Sequence, residues 1–331
     1  MAQLPKRAKV VIIGQGGIVG SSVAHHLIEQ GWDDIVGLEK SAIPSDIGST
    51  SHASDFCFTT SHDKLNIYTT KYSQAFYEKR GNYVKCGGME VARIDDDERM
   101  DELRRKVGSG KAFGTNVSMI SPKQAKELFP LLDENQIQGA MWDPDAGLVV
   151  PRSQSVAGDL VEEAVATGKL QAFAYTPAIR IDVQDGQVRG VETHKGYIET
   201  EYVVLSMGIW GPLMANTANA PLPLMPLEHP LLFFGPYEEL NGTGKQIVYP
   251  LFRDQGNSAY VRDTGDPTTT EGGRIEWGYY EAKNPRLVYP GAIAEPGDAR
   301  MSPSMRDLSL DQVMDAYEKA IEMTPILGEL G

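Results

Sequence analysis

The sequence predicts an α/β fold, α+β overall, in which a nucleotide-binding lobe on a parallel sheet is interleaved with an antiparallel-sheet lobe. Three observations carry that reading. The first forty residues run strand, glycine-rich turn, helix, strand, and end on an acid. Helical and strand-like segments then alternate, as in βα units. From Pro221 onward Pro, Gly and aromatic residues punctuate short strands, the texture of an antiparallel sheet. A chain of 331 residues is long enough for two lobes with a sizeable core.

Each element follows from its residues. Residues 9–13 form a continuous apolar, β-branched run, the signature of a buried parallel strand. Residues 18–30 have helical spacing, with Val19, Val23, Leu27 and Ile28 on one side and Gly31 as a stop. Residues 35–38 are a second strand, ending at Glu39. A Ser/Pro/Gly loop follows over 40–50, then a helix over 63–80, a strand over 87–93 and an acidic-fronted helix over 95–107. Ser121-Pro122 is a helix start, with Ser as cap and Pro in the first turn, running to about Phe129. Residues 153–167 form a helix with Val156, Leu160, Val161 and Val165 as its apolar stripe. Strands at 178–183 and 187–193 are joined by a tight Asp185-Gly186 turn. Residues 202–206 are a buried strand running into Gly208-Ile209-Trp210. Short strands at 231–234, 246–251, 259–262 and 275–280 precede a last helix over 310–323. The expected partition gives 1–90 and 151–220 to the nucleotide lobe, and 91–150 and 221–331 to the substrate lobe.

Composition excludes several functions. Lys plus Arg is 31 against 45 Asp plus Glu, a net charge of −14. With no basic run, binding to nucleic-acid phosphates is not expected. There is no apolar run of about 18 residues, so no membrane-spanning helix is expected. Two cysteines, Cys57 and Cys86, make no disulfide framework, and a reducing, cytoplasmic location is expected. No spacing of Cys, His, Asp and Glu proposes a metal site.

The turn Gly14-Gln15-Gly16-Gly17-Ile18-Val19-Gly20 lies between a predicted strand and a predicted helix, the context of a Rossmann-like dinucleotide fingerprint. Glycines let backbone approach a pyrophosphate, which sits on the helix N-terminus. Glu39 follows Gly20 by 19 residues; a carboxylate there accepts from ribose hydroxyls and disfavours a 2′-phosphate. NADP is therefore disfavoured, and FAD or NAD remains. The turn carries one residue more than the usual G-x-G-x-x-G.

Beyond Glu39-Lys40 stands Gly48-Ser49-Thr50-Ser51-His52-Ala53. Here the sequence resembles the FAD-dependent amine oxidases of the D-amino-acid oxidase superfamily, and within it the dimethylglycine and sarcosine dehydrogenase/oxidase family, which carries a G-S-T-x-H-A motif at this place. The likeness continues in order through Gly87-Gly88-Met89-Glu90, Asp143-Pro144-Asp145-Ala146-Gly147, Gly208-Ile209-Trp210, Pro226-Leu227-Glu228-His229, Tyr260-Val261-Arg262 and Thr324-Pro325-Ile326-Leu327. It implies FAD rather than NAD, held covalently by His52 through the flavin 8α-methyl.

The resemblance implies further roles by position. Ile18 and Val19 line the adenosine-pyrophosphate path, Glu39 and Lys40 meet the ribose, and Ser49, Thr50, Ser51 and His52 wrap the isoalloxazine side, with Phe56 one turn on. Ala178 approaches the adenine, and Gly208 and Trp210 belong to the flavin lobe. His229 and Tyr260 occupy active-site positions. The implied reaction is oxidative N-demethylation of a small N-methylated amino acid, giving an imine and then formaldehyde. His229 suits proton transfer near neutral pH. Tyr260 suits hydrogen bonding, or base work if its pKa is lowered. From guanidinium chemistry alone, Arg253 and Arg262 are candidate partners for a substrate carboxylate, or else surface charges. Tetrahydrofolate belongs to domains that this sequence does not include. The resemblance also implies that a C-terminal stretch or a second chain completes the flavin lobe. The competing expectations are an oxidase of another secondary or tertiary amine, and a non-catalytic flavin-binding fragment needing a partner chain.

Overall fold

The computed structural model describes residues 3–59, 61–268, 272–280, 285–288 and 308–329. The chain divides into two compact units. One takes the chain up to Ala53, then Pro151–Glu228 and a short piece from Leu287; the other takes Ser54–Val150, His229–Arg286 and the C-terminal segment. The expected first segment, 1–90, is longer than the unit observed. Beyond Ala53 the chain pairs elsewhere: Phe56–Cys57 and Tyr83–Lys85 both join Gly147–Val149, and Gly88–Arg93 enters a second, larger sheet.

The first unit is built on four parallel strands in the order Tyr202–Leu205, Val10–Ile13, Ile35–Leu38, Leu170–Phe173. Val10–Ile13 lies centrally and is buried throughout. That explains its unbroken apolar sequence. The helices Ile18–Glu29 and Ser153–Ala166 pack on this sheet through Ala24, Val161 and Ala164. Two expected core positions point outward instead: Val19 is 59% and Val165 43% exposed. The close packing goes to small residues, Gly20, Ala157, Gly158 and Ala164. The hairpin Ala178–Gln184/Gln187–Thr193 turns at Asp185 and Gly186, both with positive φ (51° and 74°), the backbone that a two-residue hairpin loop requires.

The second unit carries a seven-stranded sheet. Its order is Leu231–Phe234, Ile275–Tyr279, Ala259–Asp263, Leu251–Asp254, Gly88–Arg93, Ile137–Asp143, Ser118–Ile120. Pairing is antiparallel except where Leu251–Asp254 runs parallel to Gly88–Arg93. One face is apolar. Met89, Val91, Phe252, Val261 and Trp277 meet Phe129 and the helix Leu310–Met323 through Val313, Ala316 and Ala320. The helix Pro122–Leu128 begins on a full capping box between Ser121 and Gln124.

Two expected elements are corrected. The strand expected over 246–251 is a loop, and the strand is Leu251–Asp254. Pro250 has no N–H, and the Val248 and Tyr249 amides donate to the Asp263 carboxylate, both at 2.8 Å, instead of to a ladder. The helix expected over 95–107 is Asp97–Ala112. Asp96 caps it, and Asp95 takes φ +66°, outside the helical region. Among the described residues no helix is long and apolar enough to cross a membrane. Nor do they hold a group of three or more His, Cys, Asp or Glu able to bind a metal.

Candidate functional site

In the first unit the glycine-rich turn is a tight seat between strand and helix. Gly14 has φ +92°, and a Cβ there would strike the Ser206 carbonyl. A Cβ on Gly20 would strike the Gly14 carbonyl. Glycine at 14 therefore lets the turn lie against Ser206, and glycine at 20 lets helix Ile18–Glu29 lie against the turn. The extra residue is absorbed locally: Gly14 N and Gln15 N both donate to the Leu38 carbonyl, at 2.9 and 3.1 Å. The Gln15 side chain is fully buried against Gly37.

Glu39 joins the turn to the following loop. Its Oε2 accepts from Gly16 N at 3.0 Å, and its Oε1 accepts from Ser41 N at 3.1 Å and Ser41 Oγ at 3.2 Å. Gly17 caps the helix without a side-chain hydrogen bond, and Ile18 N donates to Thr50 Oγ1 at 3.0 Å. No acid stands in the first helical turn, so the positive helix end is left for an anion. This glycine seat, helix terminus without an acidic side chain and strand-end carboxylate fit a dinucleotide.

The short turn Ser49–His52 fixes the imidazole of His52. Its Nδ1 lies 3.0 Å from the Gly48 carbonyl. Ser51 Oγ lies 3.0 Å from the same nitrogen; a carbonyl only accepts, so the bond to Gly48 requires the Nδ1–H tautomer, which leaves Nε2 open. Arg152 Nη2 donates to the Ser51 carbonyl at 3.2 Å and holds the turn from outside. The Lys40 ammonium lies 4.8 Å over the Trp210 ring. Gly208, with φ +53°, opens the short turn that sets Trp210 there. Ala178 is separate from this group; it is buried in the core with Val191, Ile198 and Met214.

The second unit holds the other group, on the polar face of its large sheet. Tyr260 stands opposite Arg253 on one neighbouring strand and opposite Gly278 on the other. Arg253 is in turn opposite Glu90. Directly opposite residues share a face, so these side chains form one row. Gly278 makes room for the phenol, because a Cβ there would collide with the Tyr260 ring. Phe56 meets the ring edge-on at 5.4 Å, and Tyr280 lies at 5.5 Å. His229 meets Tyr280 edge-on at 4.8 Å. Phe56, expected beside the cofactor, is thus placed against Tyr260.

Electrostatics follow from burial. Tyr260 Oη accepts from Ser54 Oγ at 2.9 Å. Burial drives the Tyr260 pKa well above the phenol range, and the Ser54 hydrogen bond offsets little of it. The condition for base work by lowered pKa is therefore not met; Tyr260 is a neutral hydrogen-bonding phenol. Burial lowers the His229 pKa, favouring neutral imidazole. Arg262 is bound to buried Glu276, Nη2 to Oε2 at 2.8 Å. Arg253 is held among Glu90, Tyr260 and Tyr280, and burial lowers its pKa. Lys106 Nζ, 2.7 Å from Glu90 Oε1, anchors that carboxylate.

Sequence reasoning overlooked Ser54, Tyr280, Glu90 and Glu276. For Glu90, Glu276 and Tyr280 the signal was strand register: Glu90 pairs with Arg253, Glu276 with Arg262, and Gly278 with Tyr260, which puts Tyr280 two residues along; Ser54, on no strand, had none.

The sequence matches the family profile described as "DAO: FAD dependent oxidoreductase" over residues 9–330. It is 32% identical over 295 residues to the mitochondrial pyruvate dehydrogenase phosphatase regulatory subunit of Mus musculus, covering 86% of this chain and 31% of that protein. It is 28% identical over 333 residues to mitochondrial dimethylglycine dehydrogenase of Homo sapiens, covering 98% of this chain and 36% of that one. The chain thus spans about a third of the length of these relatives. Its fold is that of L-proline dehydrogenase from P. horikoshii, with a TM-score of 0.79, 23% identity and coverage of 99% of this chain and 79% of the other. With 322 of its 331 positions inside one profile (residues 9–330), the chain belongs to the family of FAD-dependent oxidoreductases.

Proposed function

We propose that the chain is the flavin-binding and substrate-binding part of an enzyme that oxidises an N-methylated amino acid of the dimethylglycine or sarcosine type, releasing the methyl carbon as formaldehyde. The observation that carries this reading is the row Tyr260–Arg253 on one sheet face, with His229 close by. It brings an amine hydrogen-bonding group next to a carboxylate-binding one. Similarity to dimethylglycine dehydrogenase over 98% of the chain supports the same substrate class.

When bound, FAD supplies the acceptor for the hydride of the N-methyl carbon. The rest falls to the protein. The Gly14–Gly20 seat and the N-terminus of helix Ile18–Glu29 take the pyrophosphate, and Glu39 takes ribose hydroxyls. His52, with its proton on Nδ1, offers Nε2 for a covalent bond to the cofactor. Arg253, beside Tyr260 on the sheet face and bonded to the neutral Gln255 amide, holds the substrate carboxylate, whereas Arg262 is neutralised by Glu276. The amine must lose its proton before hydride leaves, and Tyr260 Oη, with neutral His229 near, receives that N–H.

A second reading is favoured by the regulatory subunit, 32% identical to this chain: a flavin-binding fold that regulates a partner and turns nothing over. One experiment separates the two. The purified protein is acid-precipitated, the peptide containing His52 is weighed, and dimethylglycine is added to the native protein without oxygen. The catalytic reading expects a yellow pellet, a flavin-sized mass on that peptide, bleaching of the visible band and formaldehyde on re-oxygenation. His52→Ala should leave the peptide unmodified and the pellet colourless. A yellow protein that no N-methyl amino acid bleaches sinks the catalytic reading and leaves the regulatory one.

A further inference from the structure

Burial holds Tyr260 as a neutral phenol throughout the range in which an amine substrate titrates. A neutral phenol accepts a proton only by passing its own to another acceptor. The structure offers one inward. The Tyr260 and Ser54 hydroxyl oxygens lie 2.9 Å apart, and either can donate or accept. Beyond Ser54 stands Glu276, opposite Arg262 in the strand pairing and on the same sheet face as Tyr260. Glu276 is 1% exposed. Its Oε2 is engaged by Arg262 at 2.8 Å, whereas its Oε1 is buried with no hydrogen-bond partner. A buried carboxylate oxygen without a donor is costly, and Ser54, bonded to Tyr260, is the one hydroxyl among the groups that set the Glu276 pKa, lowering it.

We propose that Ser54 and Glu276 form a proton relay behind Tyr260, carrying the amine proton of the substrate to the Glu276 carboxylate. It rests on the role given to Tyr260 above. The substrate N–H bond breaks as the proton joins Tyr260 Oη. The phenol's own proton moves to Ser54 Oγ, and the Ser54 proton moves to Glu276, whose carboxylate becomes a carboxylic acid. No electrons move in this step; one proton leaves the ammonium and one arrives on Glu276. Ser54 and Glu276 act through Tyr260, as positioning residues.

The groups facing Glu276 set its readiness. Burial favours the protonated acid, Asp55 adds to that, and Arg262 and Ser54 oppose it. On the remaining side, strand Leu231–Phe234 presents Phe233, which has no charge. Burial is the largest of these effects and raises the Glu276 pKa, so the carboxylate that Arg262 holds as an ion pair readily takes a proton.

Ser54→Ala tests the relay with little risk to the fold, because Ser54 is only half-buried. Anaerobic bleaching of the flavin by dimethylglycine is timed at neutral pH and at a pH where the amine arrives already deprotonated. Ser54→Ala should be slowed about 100-fold at neutral pH and rejoin the wild type at high pH, and Ser54→Thr should restore the neutral rate. A merely structural loss would slow both pH values equally, and that result overturns the relay while leaving the function reading intact. If dimethylglycine never bleaches the wild type, the role of Tyr260 falls and the relay with it. A second readout is independent of turnover. Infrared difference spectra on substrate binding should show a protonated carboxyl in the wild type and none in Glu276→Gln; its absence from the wild type overturns the relay.

Discussion

Replacing Asp263 by alanine should cost the second unit about 3–4 kcal/mol of stability. Asp263 is 2% exposed and accepts three backbone N–H bonds, from Val248, Tyr249 and Gly265, each at 2.8 Å. Alanine leaves all three amides without an acceptor, in a segment whose Pro250 cannot rebuild a strand. That segment also presents Ile247 and Tyr249 to the cores on both sides of the sheet, so its loosening spreads. The sign of the pH dependence follows from burial, which raises the Asp263 pKa against the smaller opposing effect of its hydrogen bonds. Between the unfolded and the raised folded value the native state binds more protons. The carboxyl's contribution is therefore full below the unfolded pKa and is lost as pH rises through the folded one. Urea unfolding followed across this range should show the gap between wild type and Asp263→Ala widest in acid and narrowing toward neutral pH. A loss below about 1 kcal/mol, the net worth of a single hydrogen bond, would mean that the 245–250 loop is held by something else.

Asp263 also illustrates what sequence can and cannot give. Elements whose signal is local were legible at their true bounds: Ile35–Leu38, Leu231–Phe234 and Leu310–Met323. The Ser121-Pro122 helix start and the Asp185-Gly186 turn were legible for the same reason, since their signals are local, whereas the reciprocal bond from Gln124 was seen only in the structure. Residues 246–251 have a strand's composition, yet a carboxylate 14 and 15 residues away takes their amides. Short strands such as Phe56–Cys57 and Tyr83–Lys85 are too brief to show any period and exist only because Gly147–Val149 lies between them. The candidate site divides in the same way. The turn Gly14–Gly20 and Glu39 are read from spacing because strand, turn, helix and strand are consecutive. Ser54 lies 206 residues from Tyr260. Arg253, Glu90 and Gly278 reach Tyr260 only through strand pairing, which no linear motif encodes.

Tyr260→Phe should lower the rate of flavin reduction by N-methyl amino acids about 10²- to 10⁴-fold, the usual range for a lost proton-transfer group. The ring itself should stay. Phe56 holds it edge-on at 5.4 Å, and Gly278 leaves the space it fills, so the melting temperature should move little. What disappears is the hydroxyl oxygen, with its 2.9 Å bond to Ser54 and its capacity to receive the amine proton. Substrate affinity should fall far less than rate, because the carboxylate is held by Arg253 and not by the phenol. Burial raises the phenol pKa, so wild-type rates should show no limb from Tyr260 ionisation between neutral pH and the ordinary phenol range near 10. Arg253→Gln gives the opposite split, a raised KM with a smaller loss of kcat, since it removes a grip kept from ground state to transition state. Rapid mixing of oxygen-free enzyme with dimethylglycine, read as loss of the visible flavin band, measures both variants. A Tyr260→Phe rate within about threefold of wild type would remove Tyr260 from proton transfer and move that task to His229, the imidazole of the cluster, whose lowered pKa keeps a lone pair available at neutral pH.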